Sequence, residues 1–162
     1  MAGERGMLER RRIEAEIVKP IYAILAREYG EERAREIIAE AIGAAAREAG
    51  RQAAVAVGRP SLKTFVELFP LWIRGGALEI DIRRQEPGHF DFDVTRCRYA
   101  EMYREIGLGD ELGVLLSCNR DAAFIDGYAP GVRLFREGTI MRGNAVCDFR
   151  YSDPEAAEEN AP

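Results

Sequence analysis

The residue in the most reactive sequence setting is Cys97. It follows a stretch in which Phe90, Phe92 and Val94 alternate with polar residues, and it precedes a segment with helical periodicity. Because successive strand side chains point to opposite faces, the alternation predicts that Cys97 lies on the polar side, at a helix start. A helix N-terminus and adjacent arginines both lower the pKa of a thiol. This setting favours a thiolate nucleophile; the alternative is a small buried residue that begins the helix.

Cys118 and Asp121 form a second group. Cys118 falls at the end of a short predicted helix, where the helix dipole disfavours a thiolate unless Arg120 offsets it. Asp121 is a candidate general base or water-orienting carboxylate. The alternatives are a core cysteine and an aspartate that caps the next turn. Cys147 alternates in step with Phe149 in a predicted strand, so we interpret it as inward and structural.

The chain offers little for a metal or a nucleotide cofactor. His89 is the only histidine, and eight strand residues of about 3.3 Å each would separate it from Cys97 by roughly 26 Å. A zinc site made of the three cysteines would need Asp121 as its fourth ligand, and it lacks the usual CxxC pair. Phosphate-cradling and zinc-protease motifs are absent from the sequence. We therefore predict no metal and no cofactor.

Two long helices are predicted to precede these residues. In the first, Pro20 is expected to kink or divide the helix and Gly30 to end it. The isoleucines on one stripe of this helix are Ile13, Ile17, Ile21 and Ile24. The second begins near Glu31 and closes at Gly58; its expected inward residues are Ile37, Ile38, Ala41, Ile42 and Ala45. Ser61 is the expected N-cap of a third helix. Helices so rich in alanine and isoleucine suit either an intramolecular core or the interface of a homo-oligomer.

The periodicity then changes to two. Residues 78–82 and 90–94 alternate between apolar and polar, and Glu86-Pro87-Gly88 joins them as a hairpin. A helix follows residue 97, a short helix begins at Asp110, and two last strands are predicted from Val132 to Met141 and from Ala145 to Tyr151. The pattern indicates an α+β fold, with an N-terminal helical layer packed on a small, mainly antiparallel sheet of about four strands with two inserted helices. We predict one domain over residues 1–151 and a disordered acidic tail over 152–162.

Composition limits the functional classes. The chain has 162 residues, a net charge of −5 and 47% hydrophobic residues, an ordinary balance for one globular domain. The negative charge, and basic residues that do not interleave with aromatics, argue against a nucleic-acid surface. No apolar run is long enough for a signal peptide or a membrane span. Three scattered cysteines suit a reducing compartment, so we expect a cytoplasmic location.

Several short runs combine cysteines, acids and arginines in a fixed order. They are Phe92 to Tyr103, Gly107-Leu108, Ser117 to Asp121, Arg136 to Ile140 with Gly143, and Cys147 to Tyr151. Together with a helical lead-in that contains Tyr29-Gly30, this set resembles the L-2-amino-thiazoline-4-carboxylic acid hydrolase family over about residues 12 to 151. The most specific part is the ordered set of three cysteines with Asp121 and the closing Cys-Asp-Phe-Arg-Tyr.

The resemblance implies a hydrolase-like domain that opens a cyclic amidine, adding water at the carbon between ring sulfur and nitrogen to give a carbamoyl-cysteine. Such a reaction needs a nucleophile or activated water, a proton donor, a stabiliser of the tetrahedral centre and a cation for the substrate carboxylate. Cys97 is the first candidate nucleophile and Cys118 the second, with Asp121 as base or proton carrier. The candidates for carboxylate binding are Arg96 and Arg136, and those for charge stabilisation are Asn119 and backbone N–H groups near Arg98.

Three other functions stay open at this point. One is a related hydrolase that acts on another small cyclic amide or amidine. Another is a non-catalytic small-molecule sensor that binds its ligand between the helical layer and the polar side of the sheet. The last is a zinc-stabilised interaction domain. Thiol reactivity separates the catalytic interpretations from the sensor, and elemental analysis of the purified protein decides the zinc-stabilised domain.

Overall fold

A computed structural model describes residues 6–159 of the chain and confirms the α+β fold. The helices are α1 (Met7–Tyr29), α2 (Glu31–Val57), α3 (Leu62–Leu68), α4 (Pro70–Ile73), α5 (Arg98–Glu105), α6 (Asp110–Gly113), α7 (Asn119–Tyr128) and α8 (Pro154–Glu159). The strands are β1 (Leu78–Glu86), β2 (His89–Cys97), β3 (Arg133–Phe135) and β4 (Cys147–Ser152). A π-helical segment, Val114–Cys118, links α6 to α7, and 3₁₀ turns occupy Arg74–Gly76 and Ile140–Arg142.

Helix α1 buries a different face from its isoleucine stripe. The isoleucines at 13, 17, 21 and 24 are exposed, by as much as 59% at Ile17. The face that packs into the core instead carries Ala15, Val18 and Tyr22. The helix runs through Pro20 without division, and Gly30, with a φ of 85°, ends it as predicted. The homo-oligomer interface on these helices stays a prediction.

Helix α2 packs so closely against α7 that the backbones touch. Its buried positions are Ala34, Ile38, Ile42, Ala46 and Gly50, which corrects the inward placement of Ala41 and Ala45 because both are exposed. A Cβ at Gly50 would collide with the carbonyl oxygen of Phe124, and one at Gly127 with that of Arg47. Glycine at both contact points therefore sets the distance between the two helices.

The four strands form one antiparallel sheet in the order β1-β2-β4-β3. Strands β1 and β2 form the predicted hairpin through Pro87-Gly88. The strand predicted from Val132 to Met141 is shorter than expected, because only Arg133–Phe135 pairs with β4 and the chain then turns through a 3₁₀ segment. In the predicted disordered tail, Ser152 pairs in β4 and Pro154–Glu159 is helical, while residues 160–162 lie outside the described part of the chain.

A β-bulge at the end of β2 reverses the predicted orientation of Cys97. Glu79 pairs with Arg96, but the next residue of β1, Ile80, pairs with Val94, so Thr95 is an extra residue in β2. Because one inserted residue shifts the alternation by one position, Cys97 points to the same face as Val94 rather than to the polar face. It accordingly packs against the core and is only partly exposed.

Two apolar clusters make up the core. The first joins α3, the inner face of the sheet and α7, with Phe65, Phe92 and Phe149 among its aromatic side chains. The second joins α1, α2, α5 and the π-helical segment. Cys97 contacts both clusters, so the end of β2 is the place where they meet. Within residues 6–159, no helix combines the length and hydropathy that crossing a bilayer requires.

Candidate active site

The structure brings all three cysteines to one small cavity. Cys97 ends β2, Cys118 ends the π-helical segment and Cys147 begins β4. They line a cavity of about 70 Å³ together with Asp121 and Arg136. Cys97 reaches it only because the bulge turns this residue inward. The cavity therefore unites the three residues with predicted catalytic roles, Cys97, Cys118 and Asp121, with the predicted binding residue Arg136.

Asp121 and Arg136 form a shielded ion pair at the wall of this cavity. Arg136 Nη1 donates to Asp121 Oδ2 at 2.6 Å, and Nη2 donates to the Cys118 carbonyl oxygen at 2.8 Å. The guanidinium carbon also lies 4.7 Å from the centre of the Phe149 ring, within cation–π range. Burial raises the pKa of Asp121, and the charge of Arg136 opposes that rise. The pKa of this carboxyl therefore lies above that of an exposed aspartate.

Burial raises the pKa values of the three thiols, whereas the sequence predicts a lowered pKa for Cys97. The pKa of Cys97 rises to about 11, mainly by burial and despite the backbone N–H groups of Ala100 and Tyr99. Burial and then the charge of Asp121 raise the pKa of Cys118 to about 12. Burial also raises the pKa of Cys147, whose Sγ accepts the Ile140 N–H at 3.1 Å. The helix start at Cys97 does not compensate for the lost hydration of a thiolate.

The other predicted binding groups lie outside the cavity. Arg96 is on the outer side of the bulge, 52% exposed, where it pairs with Glu79 and Glu101. Asn119 begins α7 and is exposed. The backbone N–H of Arg98 already donates to the Ala77 carbonyl oxygen at 2.9 Å. The bulge that turns Cys97 inward turns its neighbour outward, which removes Arg96 as a ligand for a substrate in this cavity.

A larger cavity of about 450 Å³ adjoins the small one. The two share wall residues that include Arg11, Trp72, Arg120 and Asp121. The wall is otherwise largely apolar and aromatic: Phe65, Phe69, Phe92, Phe124 and Tyr151, with Leu78 and Phe149 shared between the two cavities. The exposed residues Ile17, Ala45 and Ala49 also line this cavity, so it opens to solvent between α1 and α2.

One end of the larger cavity carries a charged group that the sequence analysis missed. Both Glu14 oxygens accept from Arg11 Nη1, at 2.9 and 2.7 Å, and Glu14 Oε2 also accepts from Arg120 Nη2 at 2.7 Å. The side chains of Arg11 and Arg120 are only 15% and 12% exposed. The signal for Arg11 was present: it precedes Ala15 and Val18 by four and seven residues, so it is a cation on the apolar face of α1.

The arrangement places the polar side chain of Asp121 beside the largely apolar wall of the larger cavity. It does not form a metal site, since no group of three His, Cys, Asp or Glu side chains among residues 6–159 is placed to bind an ion.

Comparison with known proteins identifies the family of this chain and a solved structure that shares its fold. The family model for L-2-amino-thiazoline-4-carboxylic acid hydrolase matches residues 10–151, and the chain belongs to this family. The search of curated proteins found no match. Among solved structures, the chain is similar to the phenol-responsive sensory domain of the transcription activator PoxR with phenol. The identity is 12%, the TM-score is 0.53, and the match covers 87% of this chain and 75% of that one, which shows a shared fold.

Proposed function

We propose that this protein hydrolyses a small cyclic amidine or amide and that Asp121, rather than a cysteine, acts as its general acid–base. The observation that carries the proposal is the position of Asp121 where the two cavities meet, with its carboxylate held by Arg136 at 2.6 Å. A buried carboxyl with a raised pKa is suited to accept and return a proton during one turnover. Membership of the hydrolase family supports this class of reaction.

In the proposed reaction on an amidine, Asp121 takes one proton from water as the water oxygen bonds to the ring carbon, and it passes this proton to the ring nitrogen. Asp121 then takes the proton of the new hydroxyl group as the carbonyl forms, and it passes that second proton to the same nitrogen as the carbon–nitrogen bond breaks. On a cyclic amide one such transfer suffices, because the hydroxyl group stays on the carboxylic acid product. Arg136 orients the carboxylate throughout, because two of its donors are fixed by Asp121 and by the Cys118 carbonyl oxygen. Arg11 and Arg120 line the same space and supply the cations for an anionic substrate group.

The cysteines form part of the wall in this mechanism. With pKa values of about 11 and 12, Cys97 and Cys118 are protonated at neutral pH, and a thiol is a much weaker nucleophile than a thiolate. Covalent catalysis by either residue would need an activating base, and no hydrogen bond joins either sulfur to a side-chain base within residues 6–159. We therefore expect both to be replaceable.

The test is ring opening measured by mass spectrometry on a panel of cyclic amidines and amides that includes L-2-amino-thiazoline-4-carboxylate. Asp121→Asn should lower kcat by at least about 100-fold, the usual contribution of general acid–base catalysis. The matched control is Asp126→Asn on the same helix, since Asp126 pairs with Arg47 at the surface and should be dispensable. Cys97→Ala and Cys118→Ala should keep most of the activity. Full turnover by Asp121→Asn, or loss in both cysteine variants, would refute the proposal.

A second candidate function is a non-catalytic sensor of small molecules. Two observations favour it: the larger cavity is lined mainly by apolar side chains, and the fold is shared with a sensory domain described as phenol-responsive. This function predicts saturable binding of a panel compound that is recovered chemically unchanged. Turnover of any panel compound that depends on Asp121 excludes it.

A further inference from the structure

The larger cavity is poorly matched to the compound after which the family is named. L-2-amino-thiazoline-4-carboxylate is a single small ring with an amino and a carboxylate group, so polar atoms cover most of its surface. The cavity of about 450 Å³ falls within the roughly 300–1,000 Å³ typical of pockets for drug-sized ligands. Its wall includes Phe65, Phe69, Trp72, Phe124 and Phe149. A small polar ring would leave most of this apolar wall uncovered.

The charged end of the cavity has an excess of cations with free donors. Arg10, Arg11 and Arg120 line it against two acids, Glu14 and Asp121. Within residues 6–159, Arg11 donates hydrogen bonds only through Nη1, so its Nε and Nη2 have no protein acceptor. Arg120 donates only through Nε and Nη2, so its Nη1 has none within the same residues. Both side chains are mostly buried, and burial and then the neighbouring Arg11 lower the pKa of Arg120. An anionic ligand group would supply the missing acceptors and offset the crowded positive charge.

We propose that the natural substrate is a ring amide or amidine that carries an anionic group and a bulky apolar, ring-containing substituent. The anionic group binds Arg11 and Arg120, the ring to be opened lies at Asp121, and the substituent fills the aromatic part of the cavity. This inference rests on the proposed function for the identity of the reacting ring, while the preference for an apolar anion concerns binding alone.

The direct test is isothermal titration calorimetry with three probes: phenylbutyrate, its neutral analogue phenylbutyramide, and L-2-amino-thiazoline-4-carboxylate. Trp72, the only tryptophan of the chain, lines the cavity and gives a second readout through its fluorescence. We expect phenylbutyrate to bind at least about tenfold more tightly than either of the other two probes. A charge-assisted contact gives this difference from the amide, and the added apolar area gives it from the thiazoline. Equal or tighter binding of the thiazoline, or equal binding of the amide, overturns the proposal.

Paired variants locate the two parts of the site. Ala49→Phe narrows the cavity from α2 and should weaken phenylbutyrate binding, while Ala44→Phe, exposed on the same helix and not part of the wall, should not. Arg11→Met should abolish the preference for the carboxylate over the amide, whereas Arg12→Met, which removes an exposed neighbour, should keep it. Unchanged binding in Ala49→Phe, or an unchanged preference in Arg11→Met, contradicts the assignment.

A variant with the opposite effect guards against misfolding as an explanation. Glu14→Gln keeps a hydrogen-bond acceptor for Arg11 and Arg120 but removes the negative charge that competes with a ligand anion. It should bind phenylbutyrate more tightly, and a damaged fold cannot produce that result. Weaker or equal binding would refute the anion site. If the protein turns over none of the panel compounds, the proposed hydrolase function is refuted while this binding preference can still hold. The two failures are therefore distinguishable.

Discussion

Replacing Arg136 by methionine removes the cation that holds Asp121. The variant loses the donors at 2.6 Å to Asp121 and at 2.8 Å to the Cys118 carbonyl oxygen, together with the contact on the Phe149 ring. Removing one partner of a buried ion pair costs about 3–5 kcal/mol, because the remaining charge has no partner. The Asp121 side chain is 26% exposed, so solvent partly stabilises the remaining charge. We therefore expect a loss at the lower end of that range, about 3 kcal/mol in the free energy of unfolding at neutral pH.

The loss of stability caused by Arg136→Met should grow as the pH rises. Burial raises the pKa of Asp121, and removing Arg136 takes away the main opposing charge, so this pKa rises further. Below the ordinary value of 3.8 the carboxyl is protonated in both the folded and the unfolded state, and no ion pair is lost. As the pH rises through the folded pKa of the variant, the unfolded state holds fewer protons than the folded state, and stability falls.

The assay is urea unfolding followed by Trp72 fluorescence at acid and at neutral pH. Arg96→Met is the matched control, because it removes the same kind of side chain from an exposed ion pair that solvent screens, and its effect should be small. The double variant Asp121→Asn, Arg136→Met should recover part of the loss, since no unpaired charge remains. If Arg136→Met costs no more than Arg96→Met, or if its deficit shrinks as the pH rises, the reasoning about this ion pair is wrong.

Three further predictions concern the thiols, the helix contact and the carboxyl. Burial raises the pKa values of all three cysteines, to about 11 for Cys97 and about 12 for Cys118. In the folded protein they should therefore react slowly with iodoacetamide at neutral pH, and much faster in urea. Rapid labelling of the folded protein at neutral pH, measured by mass spectrometry, would contradict this. Gly127→Ala should destabilise by about 1–3 kcal/mol in thermal unfolding, because its Cβ meets the Arg47 backbone. Gly43→Ala, with open space around it in α2, should instead stabilise by about 0.5–1 kcal/mol, and equal effects would refute the close contact of α2 with α7. Part of the wild-type free energy of unfolding should be present at low pH and be lost as the pH rises from 3.8 through the raised folded pKa of Asp121. Asp121→Asn should lack this pH-dependent part. If the variant shows the same dependence of stability on pH as the wild type, the raised pKa is contradicted.

The local features of the fold were largely predictable from short stretches of sequence. Gly30 separates α1 from α2, and Ser61 caps α3 through a capping box with Thr64. Pro87-Gly88 makes the β1–β2 turn, and the alternation in β2 correctly places Phe90 and Phe92 in the core. Each of these depends on the backbone preference or periodicity of a few neighbouring residues, which the sequence expresses directly.

Burial of helix faces was predicted less well, because a helix can carry two apolar stripes. In α1 the more hydrophobic isoleucine stripe is exposed, and the smaller residues Ala15 and Val18 face the core. Periodicity identifies the stripes, but only the packing partners decide which stripe is covered. The same packing places Arg11, a cation on an otherwise apolar face, in the wall of the larger cavity, and composition does not reveal this position.

The sequence by itself determined the fold class and the family resemblance, and it predicted a site made of cysteines, Asp121 and Arg136. The tertiary structure decided where these side chains lie. One extra residue in β2, Thr95, turns Cys97 into the core and Arg96 out to solvent, and a bulge is defined only when two strands are paired. Burial then raises the pKa values of the thiols and of Asp121, because the free energy of an ionised side chain depends on everything that surrounds it in space.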